Sequence, residues 1–274
     1  MKQIVRDQIV PLILAVLACI FLIGILWLEI NLLNHFHGTS IVLHFRLADI
    51  IVGMTVYLKT SIDFAIFIGQ LIDKNRGWTG RVAIEVGTAL GNAAGTLAIL
   101  ALWSFFHHIA WLLALMILAA ALVLLKMAEE SLEHIGGSAN KGLKKAAYGL
   151  ARILEKVNAL FNPLLKYIVP KINVEARENL PFWGLVGFAF VVPFILGLDD
   201  FAGYVPLFSM VNVFGFATGV FVGHMLLNML LYVSPRRTIA VIRNAYISFA
   251  GSVAFIGLAV WGLAEVVGLI LHAH

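Results

Sequence analysis

Two aspartates lie deep inside apolar runs. Asp63 occurs in Lys59-Thr60-Ser61-Ile62-Asp63-Phe64-Ala65, and Asp200 in Leu196-Gly197-Leu198-Asp199-Asp200-Phe201-Ala202. A carboxylate near the centre of a bilayer costs about 2.5–3.5 kcal/mol on insertion scales, so such groups are rare and mark ion or substrate paths. Asp63 and Asp200 are therefore the first candidates to bind a cation, with Ser61 beside the first. Lys59 stands one helical turn before Asp63, on the same face. Two readings stay open: a buried ion pair that fixes packing, or a tethered cation that holds the carboxylate until substrate arrives. Asp199 adjoins Asp200. Adjacent carboxylates repel, so Asp200, which aligns with Asp63, is the substrate candidate and Asp199 the proton or packing candidate.

A second tier of polar residues lies on glycine-bearing segments. Gly87, Gly91 and Gly95 recur every four residues, as do Gly215, Gly219 and Gly223. Small residues at this spacing let helices approach closely. Thr88, Asn92, Thr96, Thr218, His224 and Asn228 would then stand near the centre of the packing. Asn92 and His224 are the better ligand candidates, and Asp63, Asp200 and His224 form the candidate metal set. His35, His37, His44, His107, His108, His272 and His274 fall on the expected outer side. They read either as polar interface residues or as an external metal-release cluster, since imidazole suits zinc, copper, nickel and iron.

These residues need helices to position them. Of 274 residues, 61% are hydrophobic and only 12% charged, about half the charged share of a soluble domain. Several apolar runs exceed the roughly 20 residues that cross hydrocarbon. The expected fold is an all-α integral membrane protein with about seven spans, near residues 8–33, 47–72, 82–105, 108–128, 182–208, 209–233 and 245–271. A barrel would show alternating segments of about ten residues instead. The N-terminal run is too long for a signal-peptide core and reads as a retained helix. Cys19 is the single cysteine, which excludes an internal disulfide and a cysteine-pair redox relay. The net charge of +4 sits in loops and does not point to nucleic acid. No P-loop, nucleophile elbow, zinc-protease or dinucleotide motif is present, so neither an enzyme nor a resident cofactor is expected.

Lys and Arg set the expected orientation. Lys2, Arg6, Lys74, Arg76, Arg81, the 129–181 segment, Arg236, Arg237 and Arg243 fall on one side, and Arg46 alone on the other. The N-terminus is thus expected in the cytoplasm and the C-terminus outside. Residues 1–46 form an N-terminal span and external loop. Residues 47–133 and 181–274 form two three-span repeats. Asp63-Phe64-Ala65 pairs with Asp200-Phe201-Ala202, the Gly87 row with the Gly215 row, and Ala128-Glu129 with Ala264-Glu265. Three spans per unit invert the second copy, the common plan of secondary transporters. Residues 134–180 form a basic amphipathic linker, either lying on the anionic inner leaflet or packed on the bundle's cytoplasmic end. Pro163 and Pro170 are expected to bend or end its helix.

Around Ser61-Ile62-Asp63-Phe64-Ala65 the chain resembles the aspartate signature of small cation exporters. These are the bacterial manganese exporters and cadmium-resistance transporters of the lysine-exporter superfamily. The resemblance covers roughly residues 47–130 and 182–270. It implies two three-helix repeats with an acidic residue in the first helix of each, hence Asp63 and Asp200, and efflux of a divalent cation or small solute. The expected function is a proton-coupled exporter of a divalent metal in the inner (plasma) membrane, working by alternating access. Its partners would be the lipid bilayer and a small cation, with a homo-oligomeric state left open. The rivals are an exporter of a small organic cation or amino acid in the same fold, and a non-transporting scaffold or accessory subunit.

Overall fold

The computed structural model describes the backbone of residues 2–37, 41–75, 77–133, 135, 140–168, 180–209, 211–242 and 244–272. Within these, the side chains of residues 2–7, 37, 63, 133, 164–168, 195–203, 206, 209 and 272 lie outside the description. The described residues form helices and their connections, with no strand among them. In chain order the helices are α1 (Lys2–His37), α2 (Leu47–Thr60), α3 (Ile62–Lys74), α4 (Trp78–Phe106) and α5 (Ala110–Glu133). After these come α6 (Lys141–Ile168), α7 (Phe182–Tyr204), a short 3₁₀ helix (Val205–Ser209), α8 (Val213–Val233), α9 (Pro235–Ile242) and α10 (Ala245–His272).

The helices fit a multi-pass membrane protein. Five of them, within α1, α4, α5, α8 and α10, are long and apolar enough to cross a membrane on their own. The bent pair α2 and α3 adds a sixth if counted as one span. The expectation of about seven also counted α7, whose described apolar stretch Phe182–Phe194 is shorter than a span. Leu17, Phe21, Leu115 and Trp261 stand exposed along these helices, as side chains that meet lipid would.

The expected second span is not one helix. It breaks at Ser61, where α2 and α3 meet at a bend of 67°. The local cause is visible in the hydrogen bonds. The carbonyl of Tyr57 accepts both the Ser61 backbone N–H at 2.9 Å and the Thr60 hydroxyl at 3.0 Å. Ser61 then takes φ −82° and ψ 27°, off the helical value, and α3 restarts at Ile62. A hydroxyl that bonds back to a carbonyl one turn earlier competes with the helix ladder and bends it.

By contacts the chain divides into two compact units. The first comprises Met1–Ala101, Asn173–Leu198 and Val211–Ala240. In it α8 packs along α2 and α1. The α8 glycines make this possible. A Cβ on Gly219 would collide with the backbone of Ile50, and one on Gly53 of α2 with the backbone of Phe216. Gly223 and Gly215 face Met54, Tyr57 and Asp49 of the same helix. The α4 glycines do the same against α7: Gly87 abuts Val186 and Ala189, and Gly91 abuts Phe190 and Pro193. Gly95 is buried.

The second unit comprises Leu102–Ile172, Asp199–Met210 and Val241–His274. Its spine is the pair α5 and α10. The Ser252 hydroxyl reaches from α10 to the carbonyl of Ala128 at 3.1 Å, while also approaching Ser248 O at 3.0 Å. Helix α6 lies on α5 through buried Ala147 and Leu154. The Asn158 amide donates to Glu129 Oε2 at 2.7 Å and to the Leu125 carbonyl at 3.2 Å. Lys126 completes the pairing of Glu129 at 3.0 Å. Ile153, Leu160 and Tyr148 of α6 remain exposed. The helix continues through Pro163 to Ile168, so Pro163 does not end it, and Pro170 lies outside the described residues.

Candidate functional site: a buried polar network in the first unit

Helix α4 carries polar and small residues in two separate stripes. Arg81, Glu85, Thr88, Asn92 and Thr96 recur at helical spacing and form one stripe, whereas Gly87, Gly91 and Gly95 form another, about 100° round the helix because each glycine directly precedes a polar member. With the glycines against α7, the polar stripe is free to meet α8. There it faces His224, Asn228 and Tyr232, which are spaced four residues apart. All three are buried, and Glu85 is only 1% exposed.

The contacts are specific. Asn228 Nδ2 donates to Glu85 Oε2 at 2.8 Å and lies 3.1 Å from Thr88 Oγ1. The Tyr232 hydroxyl donates to the same Glu85 oxygen at 2.9 Å and lies 3.2 Å from the Arg81 carbonyl. Arg81 in turn reaches the Tyr232 carbonyl at 3.4 Å. Asn228 Nδ2 is also 3.2 Å from His224 Nε2, and His224 Nδ1 is 2.8 Å from the Tyr57 hydroxyl. The Glu85 carboxylate decides which end of the Asn228 amide faces inward, because only nitrogen can donate to it. We assign Nε2 of His224 as the acceptor from that amide, which puts the ring proton on Nδ1 toward Tyr57. Both ring nitrogens are then occupied.

The helix break borders this network. Tyr57 lies in the last turn of α2 and Phe64 in the first turn of α3. Both rings stand 5.8 Å from the His224 ring, Tyr57 edge-on and Phe64 tilted. One buried histidine is thus held between the two segments of the bent pair α2 and α3. Further polar atoms remain buried with no hydrogen-bond partner among the described residues: Asn92 Nδ2, Thr96 Oγ1, Thr218 Oγ1 and Asn228 Oδ1. A buried donor or acceptor left unpaired is costly and is ordinarily met by water or a ligand.

The sequence-derived candidates fall as follows. Ser61 is the break itself and is buried. Lys59 is half-buried two residues earlier. Asp63 lies in the first turn of α3, and its side chain is outside the described residues, as are those of Asp199 and Asp200 in α7. His224, Asn228 and Thr88 come together, and Asn92 stands one turn beyond Thr88. Among the described residues, no group of three His, Cys, Asp or Glu side chains could hold a metal ion. Of the outer histidines, the His107 and His108 rings lie 3.8 Å apart, and His274 is outside the described residues.

Sequence reasoning missed Glu85, Tyr57 and Tyr232. Glu85 sits two turns inside α4 beside Arg81, and so reads as an interface charge. The signal for it was the stripe running Arg81, Glu85, Thr88, Asn92 and Thr96. No known family model, curated protein or solved structure matches the chain.

Proposed function

We propose that this chain is a secondary transporter of the inner (plasma) membrane, exporting a divalent metal cation in exchange for protons by alternating access. One observation carries this reading: the break at Ser61, with Tyr57 and Phe64 on its two sides both against buried His224. Discontinuous helices at the repeat interface are where secondary transporters build their sites, because an interrupted helix exposes backbone and polar groups at membrane depth.

The packing supports the two inverted repeats of this reading. The glycine row of the first half, in α4, abuts α7, the first helix of the second half. The glycine row of the second half, in α8, abuts α2, the first helix of the first half. The register that pairs Asp63 with Asp200 also pairs Asp49 with Val186, and these face Gly215 and Gly87 respectively. The third helices, α5 and α10, pack on one another. The distribution of Lys and Arg supports an N-terminus in the cytoplasm and a C-terminus outside. Asp63 and Asp200 are the proposed cation ligands, and Ser61 and Asn92 are further candidates.

A second reading keeps the fold and replaces the metal by a small organic cation or amino acid. The engagement of both His224 nitrogens favours it, since a metal bound there would have to displace Asn228 or Tyr57. The test is flux of manganese, cadmium and zinc into proteoliposomes under an imposed pH gradient, for wild type and for Asp63→Asn with Asp200→Asn. Gradient-dependent metal flux that vanishes in the double variant supports the metal exporter. Absence of metal flux, with organic-cation flux present, selects the second reading. Absence of both from folded protein refutes transport and leaves a scaffold or accessory subunit.

A further inference from the structure

The network contains a carboxyl group that cation ligation does not use. Glu85 is buried within the first unit, and its Oε2 receives two donors from α8, Asn228 Nδ2 and the Tyr232 hydroxyl. An oxygen of this group can accept both donors whether the carboxyl carries a proton on its other oxygen or has lost it. Around it, α8 supplies Tyr232 and His224, α1 supplies the Cys19 thiol, and α4 itself supplies Arg81.

The same network makes a continuous path. From Glu85 the contacts run through Asn228 to His224 and from His224 to Tyr57, which ends at the broken helix. In the other direction, Tyr232 joins Glu85 to the backbone of Arg81, near the start of α4. We propose that Glu85 is the carboxyl that binds and releases the coupling proton, with the Asn228–His224–Tyr57 chain as its link to the break at Ser61. The proton leaves the Glu85 carboxyl past Arg81 to water on that side. The carboxylate left behind keeps both donors, and their tightening on Oε2 pulls Asn228 away from His224. That loosens the contact which holds the two helix segments around the ring. Proton release and opening of the break are then one event.

This inference rests on the transport reading for its coupling role, but the titration of Glu85 can be tested without any cargo. In proteoliposomes, infrared difference spectra between acid and alkaline buffer should contain a carboxylic-acid C=O band that disappears in Glu85→Gln. Under a pH gradient, Glu85→Gln should also lose gradient-driven flux, and any cargo exchange left to it should no longer vary with pH. Tyr232→Phe keeps the carboxyl and removes one donor, so it should move the titration midpoint of the band, and it serves if Glu85→Gln fails to fold. An unchanged band in Glu85→Gln, or an unmoved midpoint in Tyr232→Phe, overturns the proposal. Gradient-driven flux retained in Glu85→Gln also overturns it. If wild type moves no cargo, the transport reading falls, and the infrared band alone decides whether Glu85 titrates.

Discussion

Gly219→Ala should loosen the α2–α8 crossing and with it the candidate site. The added Cβ would stand 2.9 Å from the Cα of Ile50 and closer still to that residue's carbonyl oxygen. Ordinary carbon–carbon contact lies near 3.5–4.0 Å, so the two backbones must part by at least ~0.6 Å. Both partners are backbone, so no side chain can rotate away. Overpacking of this kind costs about 1–3 kcal/mol. One turn along α8, the Tyr57–His224 hydrogen bond of 2.8 Å would be drawn toward the limit of about 3.5 Å beyond which it fails. Gly187→Ala is the control, because a Cβ there meets nothing within 4 Å. Alanine should strengthen that helix by about 0.5–1 kcal/mol. Thermal unfolding of the purified protein in detergent should show Gly219→Ala melting roughly 2–12 °C below wild type, with Gly187→Ala level or higher. Equal melting temperatures for the two variants would refute the close crossing.

Two further predictions concern the second unit. Asn158→Leu removes the amide shared by Glu129 and Leu125 and leaves a buried carboxylate with Lys126 as its remaining described partner. It should cost about 1–3 kcal/mol and speed proteolytic cleavage within α6, whereas Glu155→Gln on the same helix should not. Ser252→Ala deletes one interhelical hydrogen bond to Ala128. Because Ser252 also bonds within its own helix, the loss should be near the ~0.6 kcal/mol typical of such bonds in membranes, read as a small shift in unfolding temperature. A loss several times larger would show that the α5–α10 contact depends on this one hydroxyl.

The unequal legibility of these features has a physical basis. The all-helical, multi-pass character could be read directly, since crossing hydrocarbon needs a run of apolar residues of fixed length and that demand is written in one dimension. The expected count of seven is not matched by the five or six helices long enough to cross among the described residues. The glycine rows were equally visible. A row at four-residue spacing promises a close helix contact whatever the partner. The rows do not say that α4 faces α7 and α8 faces α2, because glycine carries no side chain to name its neighbour. Likewise, His224, Asn228 and Thr88 stood out as polar groups in apolar helices, and their mutual contact did not.

The break at Ser61 was hidden for a related reason. Residues 47–72 contain no proline, and Asp49, Lys59 and Asp63 are the only charges in an otherwise mainly apolar run. The interruption comes where the Thr60 hydroxyl shares the Tyr57 carbonyl with the Ser61 backbone N–H, and a threonine in an apolar run does not by itself announce a break. Glu85 shows the limit most plainly. Its position near a helix start, one turn from Arg81, suits a charge at the membrane surface. Only the approach of α8 seals it from solvent and brings Asn228 and Tyr232 onto its oxygen. The sequence by itself determined that this chain forms apolar helices with small and polar stripes, because hydrophobic length and helical periodicity are local properties. The tertiary structure alone decided which stripes meet, because burial and hydrogen-bond geometry arise from residues more than a hundred positions apart.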